Sequence, residues 1–296
     1  MSDFVEVIQA SKPNLKPITL KGYVSAFKNI AKIKGDVYKP NELFKLLNGT
    51  KKSELSKKTI YNTALIYLQG KKADEDIIKI YSDEIWRIQE AYVAKNESGV
   101  ISENQAPNFI TIEELHDLIK LIKESMIEEP GNKDFTAYTL YVLLTERPIR
   151  NDLAGMILIT QSAFNKLKGE IKDNGVYLIK NKKMRTLYVG QYITTKTRPK
   201  EVVELTDVAI EAINNYIQVN KIKSGDEIFQ FSKNYLSQLL IHTSKKYINK
   251  NISTLMIRKI ITTDKFLDSS LEQKKHAEEI GHSVAIENLV YIKQPE

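Results

Sequence analysis

Apolar residues recur at helical spacing through most of the first hundred residues. In the stretch 19–35 they fall three or four positions apart, with Thr19 as the predicted N-cap and Gly35 as the predicted stop. The same spacing predicts shorter helices over residues 42–47, 56–68 and 83–94. No strand pattern interrupts these runs, so the amino-terminal third is predicted to be a compact helical unit.

A polar stretch follows, from residue 94 to residue 110. It has no hydrophobic period and contains Gly, Pro, Ser and Asn, a composition that is typical of a linker. We therefore predict two domains, residues 1–105 and residues 106–296. Directly after the stretch, Thr111 and Glu114 have the spacing of a capping box, which predicts that a new helix begins there.

The second predicted domain has a mixed pattern. Residues 135–147 are apolar on nearly every side, as expected of a helix at the centre of a core, and Pro148 is expected to end that helix. Three short β-prone runs follow, around residues 176–179, 186–193 and 202–205. After Asp207 the spacing is helical again. The predicted fold is therefore mainly α-helical with one small antiparallel β-sheet.

Composition excludes several classes of protein. Apolar residues make up 42% of the chain and charged residues 27%, as in globular proteins. No apolar run has the roughly 18 residues that a membrane helix needs, and the first residues do not form a secretory signal, so we expect an intracellular protein that does not span a membrane. The chain has no cysteine and four scattered histidines, which excludes disulfides and argues against a metal centre.

The charge balance suggests an anionic partner. Lys and Arg exceed Asp and Glu to give a formal net charge of +7, and the pI is about 9.1. Lysine pairs recur along the chain, although a solvated surface is the ordinary explanation for any single pair. Charge alone therefore favours an anionic partner without identifying it.

Five polar residues stand in an order that suggests a specific chemistry. They are Arg150 in PIRND, Lys196 in KTRPKEVVEL, Arg258 in TLMIRKIITT, and His282 and Tyr291 in IGHSVAIENLVY. This order, with a basic hairpin after the first arginine and a tyrosine nine residues after Gly-His-Ser, resembles the tyrosine recombinases, or phage-integrase family. That family shares its catalytic fold with type IB topoisomerases. The helix with Tyr23 and Phe27 is similar to the first helix of the family's core-binding domain.

The resemblance implies a helical, SAM-like core-binding domain followed by an integrase-like catalytic domain. It also implies a site-specific recombinase or integrase that cuts and rejoins double-stranded DNA through a 3′-phosphotyrosine intermediate, without ATP, metal or another cofactor. The Pro-Ile-Arg-Asn-Asp variant looks more like recombinase-like proteins of large DNA viruses and phages than like bacterial chromosome-dimer resolvases. The expected location is therefore with DNA, in a prokaryotic cytoplasm, a nucleus or a viral factory.

The chemistry of strand transfer explains why these residue types belong together. A phenol with an ordinary pKa of about 10 must attack a phosphodiester while negative charge builds on the non-bridging oxygens. Arginine remains charged and matches phosphate oxygens with two parallel donors, so Arg150 and Arg258 are predicted to hold the phosphate. By resemblance, Tyr291 is the nucleophile, Lys196 protonates the departing 5′ oxygen, and His282 hydrogen-bonds the phosphate or assists proton transfer.

Three positions leave alternatives open. The position three residues before the second arginine, where the family usually has a histidine, is Leu255, which cannot transfer a proton. Lys259, adjacent to Arg258, is a candidate to compensate. The first arginine is Arg147 if the preceding helix is aligned and Arg150 if the following acid, Asp152, is aligned, and we select Arg150. In the hairpin, Lys200 is a further candidate beside Lys196. The residues predicted to contact DNA are Lys51, Lys52, Lys57, Lys58, Arg198, Lys245 and Lys246.

Two other functions remain possible from the sequence. The leucine at position 255 suggests a catalytically inactive relative that only binds DNA. Only five residues follow Tyr291, where recombinases that form tetramers on DNA carry another helix. This short tail argues against a tetramer and suggests, as the other alternative, a type IB topoisomerase-like enzyme that relaxes DNA.

Overall fold

The fold is described from a computed structural model. It describes residues 2–97, 101–103, 105–149, 151–181, 185–190 and 201–279. The chain divides into two compact units between Ile101 and Ser102.

The described residues of the first unit form five α-helices. They are α1 (Ser2–Ser11), α2 (Pro17–Lys32), α3 (Pro40–Asn48), α4 (Glu54–Gly70) and α5 (Glu75–Glu97). The apolar faces of α2 to α5 enclose one core, with Leu43, Tyr61 and Tyr81 fully buried. A second cluster holds α1 in place through Phe4, whose ring stacks on that of Phe27. The predicted helical character of this region is confirmed.

The sequence-based helix limits needed correction. The helix expected to be capped by Thr19 begins three residues earlier, at Pro17 with Lys16 as the N-cap, because proline in the first turn is pre-organised for a helix. The polar stretch from residue 94 is partly helical, since α5 extends to Glu97 and a short 3₁₀ turn covers Ala106–Asn108. The helix α1 was not predicted.

The second unit surrounds one central helix. Its helices are α6 (Ile112–Ser125), α7 (Lys133–Glu146), α8 (Gln161–Lys166), α9 (Gly169–Asp173), α10 (Asp207–Val219), α11 (Lys233–Ile248) and α12 (Thr254–Glu279). Residues 135–144 of α7 are all buried, as their apolar pattern predicted. The capping box at α6 is also confirmed, because Thr111 and Glu114 each bond the other's backbone N–H.

A four-stranded sheet covers one side of this core. Its strands are β1 (Ile157–Thr160), β2 (Val176–Lys180), β3 (Arg185–Val189) and β4 (Glu201–Glu204), in that spatial order. The last three strands form the predicted antiparallel arrangement, with Leu178 opposite Leu187 and Leu187 opposite Val203.

The prediction of a purely antiparallel sheet was wrong, because β1 pairs with β2 in parallel. A parallel neighbour needs a long crossover, and α8 and α9 provide it between the two strands. The four residues of β1 are too few to show an alternating pattern. Its outer edge is covered by the chain around Ile228, whose N–H donates to the carbonyl of Met156.

One tyrosine links three elements of the second unit. Tyr141, in the middle of α7, is fully buried, and its hydroxyl lies 2.9 Å from the carbonyl oxygen of Leu240 in α11. The same hydroxyl lies 3.3 Å from the carbonyl oxygen of Ile252, just before α12. Burial raises the pKa of this phenol, which keeps its proton available as a donor. The central helix is thereby bonded to the middle of α11 and to the segment just before α12.

None of the described helices combines the length and apolar character needed to cross a membrane.

Candidate functional site

The corner that follows α7 carries the first of the predicted site residues. Arg147 caps the helix in an extended conformation, and its N–H donates to the carbonyl of Leu143 at 2.9 Å. Pro148 follows, so the helix ends where the sequence predicted. Ile149 is buried in the core and anchors the segment from below. Arg150, the preferred first arginine, lies outside the described residues.

A hydrogen bond fastens this corner to the start of α12. The hydroxyl of Thr254 donates to Oδ1 of Asn151 at 2.5 Å. Asn151 is the residue after Arg150, and Thr254 lies one helical turn before Arg258 on the same face of α12. The two chain segments that carry the predicted arginines are therefore in direct contact.

A second link joins the same corner to the end of the predicted hairpin. The carboxylate of Glu146, the last residue of α7, accepts hydrogen bonds from the N–H of Thr206, at 3.2 Å, and from the Thr206 hydroxyl. Thr206 follows β4 and caps α10. Burial raises the pKa of the Glu146 carboxyl, and hydrogen bonds from the backbone N–H groups of Thr206 and Ala209 partly offset this rise. Lys196, the candidate proton donor to the departing 5′ oxygen, lies outside the described residues, as do Arg198 and Lys200.

A third contact involves Asp152, which lies in the short 3₁₀ turn Asn151–Leu153. Asp152 is buried, and its Oδ1 accepts a hydrogen bond from the ammonium group of Lys233 at 2.6 Å. Lys233 is the first residue of α11. The turn Asn151–Leu153 is therefore bonded to the first residues of both α11 and α12.

Together these contacts bring the arginine segments and the end of the predicted hairpin to one corner of the second unit. Arg147 and Arg258 are both half-buried there, on segments joined by hydrogen bonds. His282 and Tyr291, the other two members of the predicted set, lie outside the described residues. Their positions relative to the corner remain predictions.

Leu255, at the position where the resemblance predicts a histidine, and Lys259 are both on the surface of α12. Leu255 is 52% exposed and carries no group that transfers a proton. Lys259 is also exposed, and its ammonium group donates to Oε1 of Gln105 at 2.5 Å. Lys259 therefore joins α12 to the segment that precedes α6.

The lysines predicted to bind DNA fall into two groups. Lys57 is buried, and its ammonium group donates to Asn48 at 2.9 Å and to Glu54 at 2.6 Å. Lys58 donates to Gln89, and Lys246 to Asp134 at 2.5 Å. The ammonium groups of the remaining predicted lysines make no hydrogen bond or ion pair with described residues; they are Lys51, Lys52 and Lys245.

Another set of lysines was missed by the sequence reasoning. Residues 7–35 contain six lysines and no acidic residue. They are Lys12, Lys16, Lys21, Lys28, Lys32 and Lys34, and all six are exposed. Their ammonium groups make no hydrogen bond or ion pair with any described residue. A count of acidic residues along the chain, rather than of lysine pairs, would have found this segment.

Within the described ranges, no group of three or more His, Cys, Asp or Glu side chains is arranged to hold a metal ion.

Comparison with models of known protein families gave no match, and no curated protein matched the chain.

Proposed function

We propose that this protein cuts and rejoins double-stranded DNA by the chemistry of a tyrosine recombinase, with Tyr291 as the nucleophile. The observation that carries the proposal is the hydrogen bond between Asn151 and Thr254. It joins the segment with the predicted first arginine to the helical turn before Arg258. Two guanidinium groups from distant parts of the chain are the donors that a phosphodiester under attack requires.

The link between Glu146 and Thr206 supports the same assignment. It attaches the residue that follows the end of β4 to the residue before Arg147, so the chain that leaves the predicted hairpin reaches the arginine corner. A lysine delivered there has the role of protonating the departing 5′ oxygen. The proposed step forms a tyrosine–phosphate bond as the bond to that oxygen breaks, and it consumes neither ATP nor a redox partner.

Charge supports DNA as the substrate. The six exposed lysines between residues 7 and 35 make no ion pair with any described carboxylate, so their charges are available to an anionic partner. Lysines that contact phosphates release condensed counterions, which provides affinity for DNA of any sequence. In this proposal, the first unit contributes affinity and the second carries out the chemistry.

The decisive experiment is covalent capture on a nicked suicide duplex, in which loss of a short cleaved fragment prevents religation. A panel of duplexes in a random-sequence library serves as substrate, because the target site is not known. We expect a protein–DNA adduct that survives denaturation with wild type and is absent with Tyr291→Phe, while both proteins bind duplex equally. Tyr235→Phe, which alters an exposed tyrosine on α11, is the matched control and should form the adduct.

An adduct of equal yield from Tyr291→Phe would show that another residue is the nucleophile. Mass spectrometry of the peptide that retains the nucleotide would identify that residue directly.

A second candidate function is DNA binding without cleavage, and Leu255 favours it. The residue stands where the related enzymes use a proton-transferring group, and its side chain is exposed at the start of α12. A chain of this kind would bind duplex with strong salt dependence and give no adduct with any member of the library.

A further inference from the structure

The pair formed by Lys233 and Asp152 is unequal in exposure. The Asp152 side chain is 5% exposed, whereas the Lys233 side chain is 58% exposed. A buried carboxylate is costly unless a cation or hydrogen-bond donors compensate it. Lys233 provides that compensation, because its ammonium group donates to Oδ1 of Asp152 at 2.6 Å.

The second oxygen of the same carboxylate is also buried. Oδ2 of Asp152 makes no hydrogen bond with any described residue. A carboxylate oxygen accepts one or two donors, so Asp152 has capacity for a further one in addition to Lys233. The bond from Lys233 at 2.6 Å is the described contact that holds the orientation of the Asp152 carboxylate.

Polar contacts hold the turn that contains Asp152 in addition to its core packing. It is a single 3₁₀ turn, Asn151–Leu153, in which the N–H of Ala154 donates to the carbonyl of Asn151 at 3.1 Å. Leu153 is buried in the core, while Thr254 holds the first residue of the turn and Lys233 holds the second. Loss of the bond to Lys233 would leave the Asp152 carboxylate without its described partner, although Leu153 would remain packed in the core.

We propose that Lys233 is a positioning residue for the proposed cleavage reaction. Its ammonium group fixes the Asp152 carboxylate and, through it, the turn that directly follows Arg150. This inference rests on the proposed function. In it, Lys233 does not touch the reacting phosphate and acts through Asp152.

The test compares three single variants for adduct formation and for duplex binding. For Lys233→Met we expect single-turnover cleavage to slow about ten- to a hundredfold, since small misplacements of reacting groups have effects of this size. Duplex affinity should change less than about twofold, because in this proposal Lys233 is bonded to Asp152 and makes no phosphate contact. Lys233→Arg should restore most of the rate, as it keeps a cationic donor. Lys223→Met, at an exposed lysine after α10, is the control and should cleave normally.

A double-mutant cycle with Asp152→Asn separates a role through Asp152 from an independent one. If Lys233 acts only through the carboxylate, Lys233→Met should slow the Asp152→Asn protein little further. Additive losses in the double variant would overturn the proposal, as would an unchanged rate in Lys233→Met. A parallel loss of affinity and rate would also overturn it, because Lys233 would then be a DNA contact.

Amide hydrogen exchange gives a readout that does not depend on DNA cleavage. Exchange at the amide of Ala154 should accelerate at least about tenfold in Lys233→Met and remain unchanged in Lys223→Met. If wild type forms no adduct but this acceleration is seen, the cleavage function fails and Lys233 still holds the turn. If Ala154 exchanges at the same rate in both variants, Lys233 does not position the turn, whatever the outcome with DNA.

Discussion

Thr254 and Asn151 lie 103 positions apart in the chain and are joined side chain to side chain at 2.5 Å. Thr254 is buried at the first turn of α12, and Asn151 opens the turn after α7. This hydrogen bond holds the turn that follows Arg150 against the first turn of α12, the helix of Arg258.

Replacing Thr254 with valine removes the hydroxyl at nearly constant shape. We expect unfolding free energy to fall by about 1–2 kcal/mol, because the oxygen of Asn151 loses its donor in a largely dry environment. Cleavage should fall more than this modest loss of stability implies, since the two arginine segments are no longer tied. Urea unfolding and the adduct assay measure the two effects. Thr262→Val, at an exposed threonine two turns further along α12, should change neither.

The carboxyl of Glu146 should make stability depend on pH in a particular direction. Its pKa is raised in the folded protein, so the folded state binds the proton more tightly than the unfolded state does. Its contribution is therefore fully present below the unfolded pKa of about 4.3 and is lost as pH rises through the higher folded pKa. In Glu146→Gln this loss should be absent.

The measurement for Glu146 is a series of urea unfolding curves across the acidic range. The stability of wild type relative to Glu146→Gln should decline as pH rises through that window. Glu124→Gln, at an exposed carboxylate on α6, provides the baseline. A wild-type advantage that instead grew with pH would mean that the hydrogen bonds to Thr206 outweigh the burial of Glu146.

Gly190 should tolerate no larger residue. A Cβ atom there would lie 2.0 Å from the carbonyl oxygen of Lys172 and 2.9 Å from its carbonyl carbon, and both are backbone atoms that cannot turn aside. Gly190→Ala is expected to destabilise the second unit by about 1–3 kcal/mol or more, as overpacking does. Gly169→Ala is the control, because a Cβ at that position meets nothing within 4 Å. Thermal unfolding of the two variants tests the difference.

The basic surface around α2 should govern how binding responds to salt. Lys21, Lys28 and Lys32 lie along one face of α2, and replacing all three with glutamine should weaken duplex binding. The slope of log affinity against log salt should become shallower by up to about 3, since each phosphate contact contributes about 0.9. Fluorescence anisotropy at several salt concentrations measures this slope.

The control for α2 removes the same charge elsewhere. Lys133, Lys221 and Lys223 are exposed lysines at or beyond the ends of α7 and α10 that lie away from the arginine corner. Replacing these three with glutamine should leave the slope within about 0.5 of wild type. Equal effects of the two triple variants would show that binding follows net charge and has no preferred surface.

Local patterns predicted much of this fold. The capping box at Thr111 and the all-round apolar run of α7 depend on neighbours within a few residues, and both are present. The strand β1 was missed because its four residues owe their conformation to pairing with β2, about twenty positions later. The helix start at Thr19 was misplaced because proline at the preceding positions is itself a start signal.

The candidate site was less accessible to sequence reasoning. Arginine and lysine at given positions indicate a chemistry, but the bonds that assemble the corner join residues 60, 81 and 103 positions apart. Asparagine, threonine and glutamate make such bonds in any surface turn, so their types carry no signal. Lys57 illustrates the same limit, because its burial against Glu54 and Asn48 cannot be deduced from a Lys-Lys pair.

The hydroxyl of Tyr141 holds two carbonyl oxygens at once, one from α11 and one from the residue before α12. A sideways shift of α12 would stretch the bond to Ile252 and, through the shared oxygen atom, the bond to Leu240. Arg258 and Lys233 therefore lie on the two helices that meet at this one oxygen atom. Loss of this single hydroxyl would release the contacts to both helices at once.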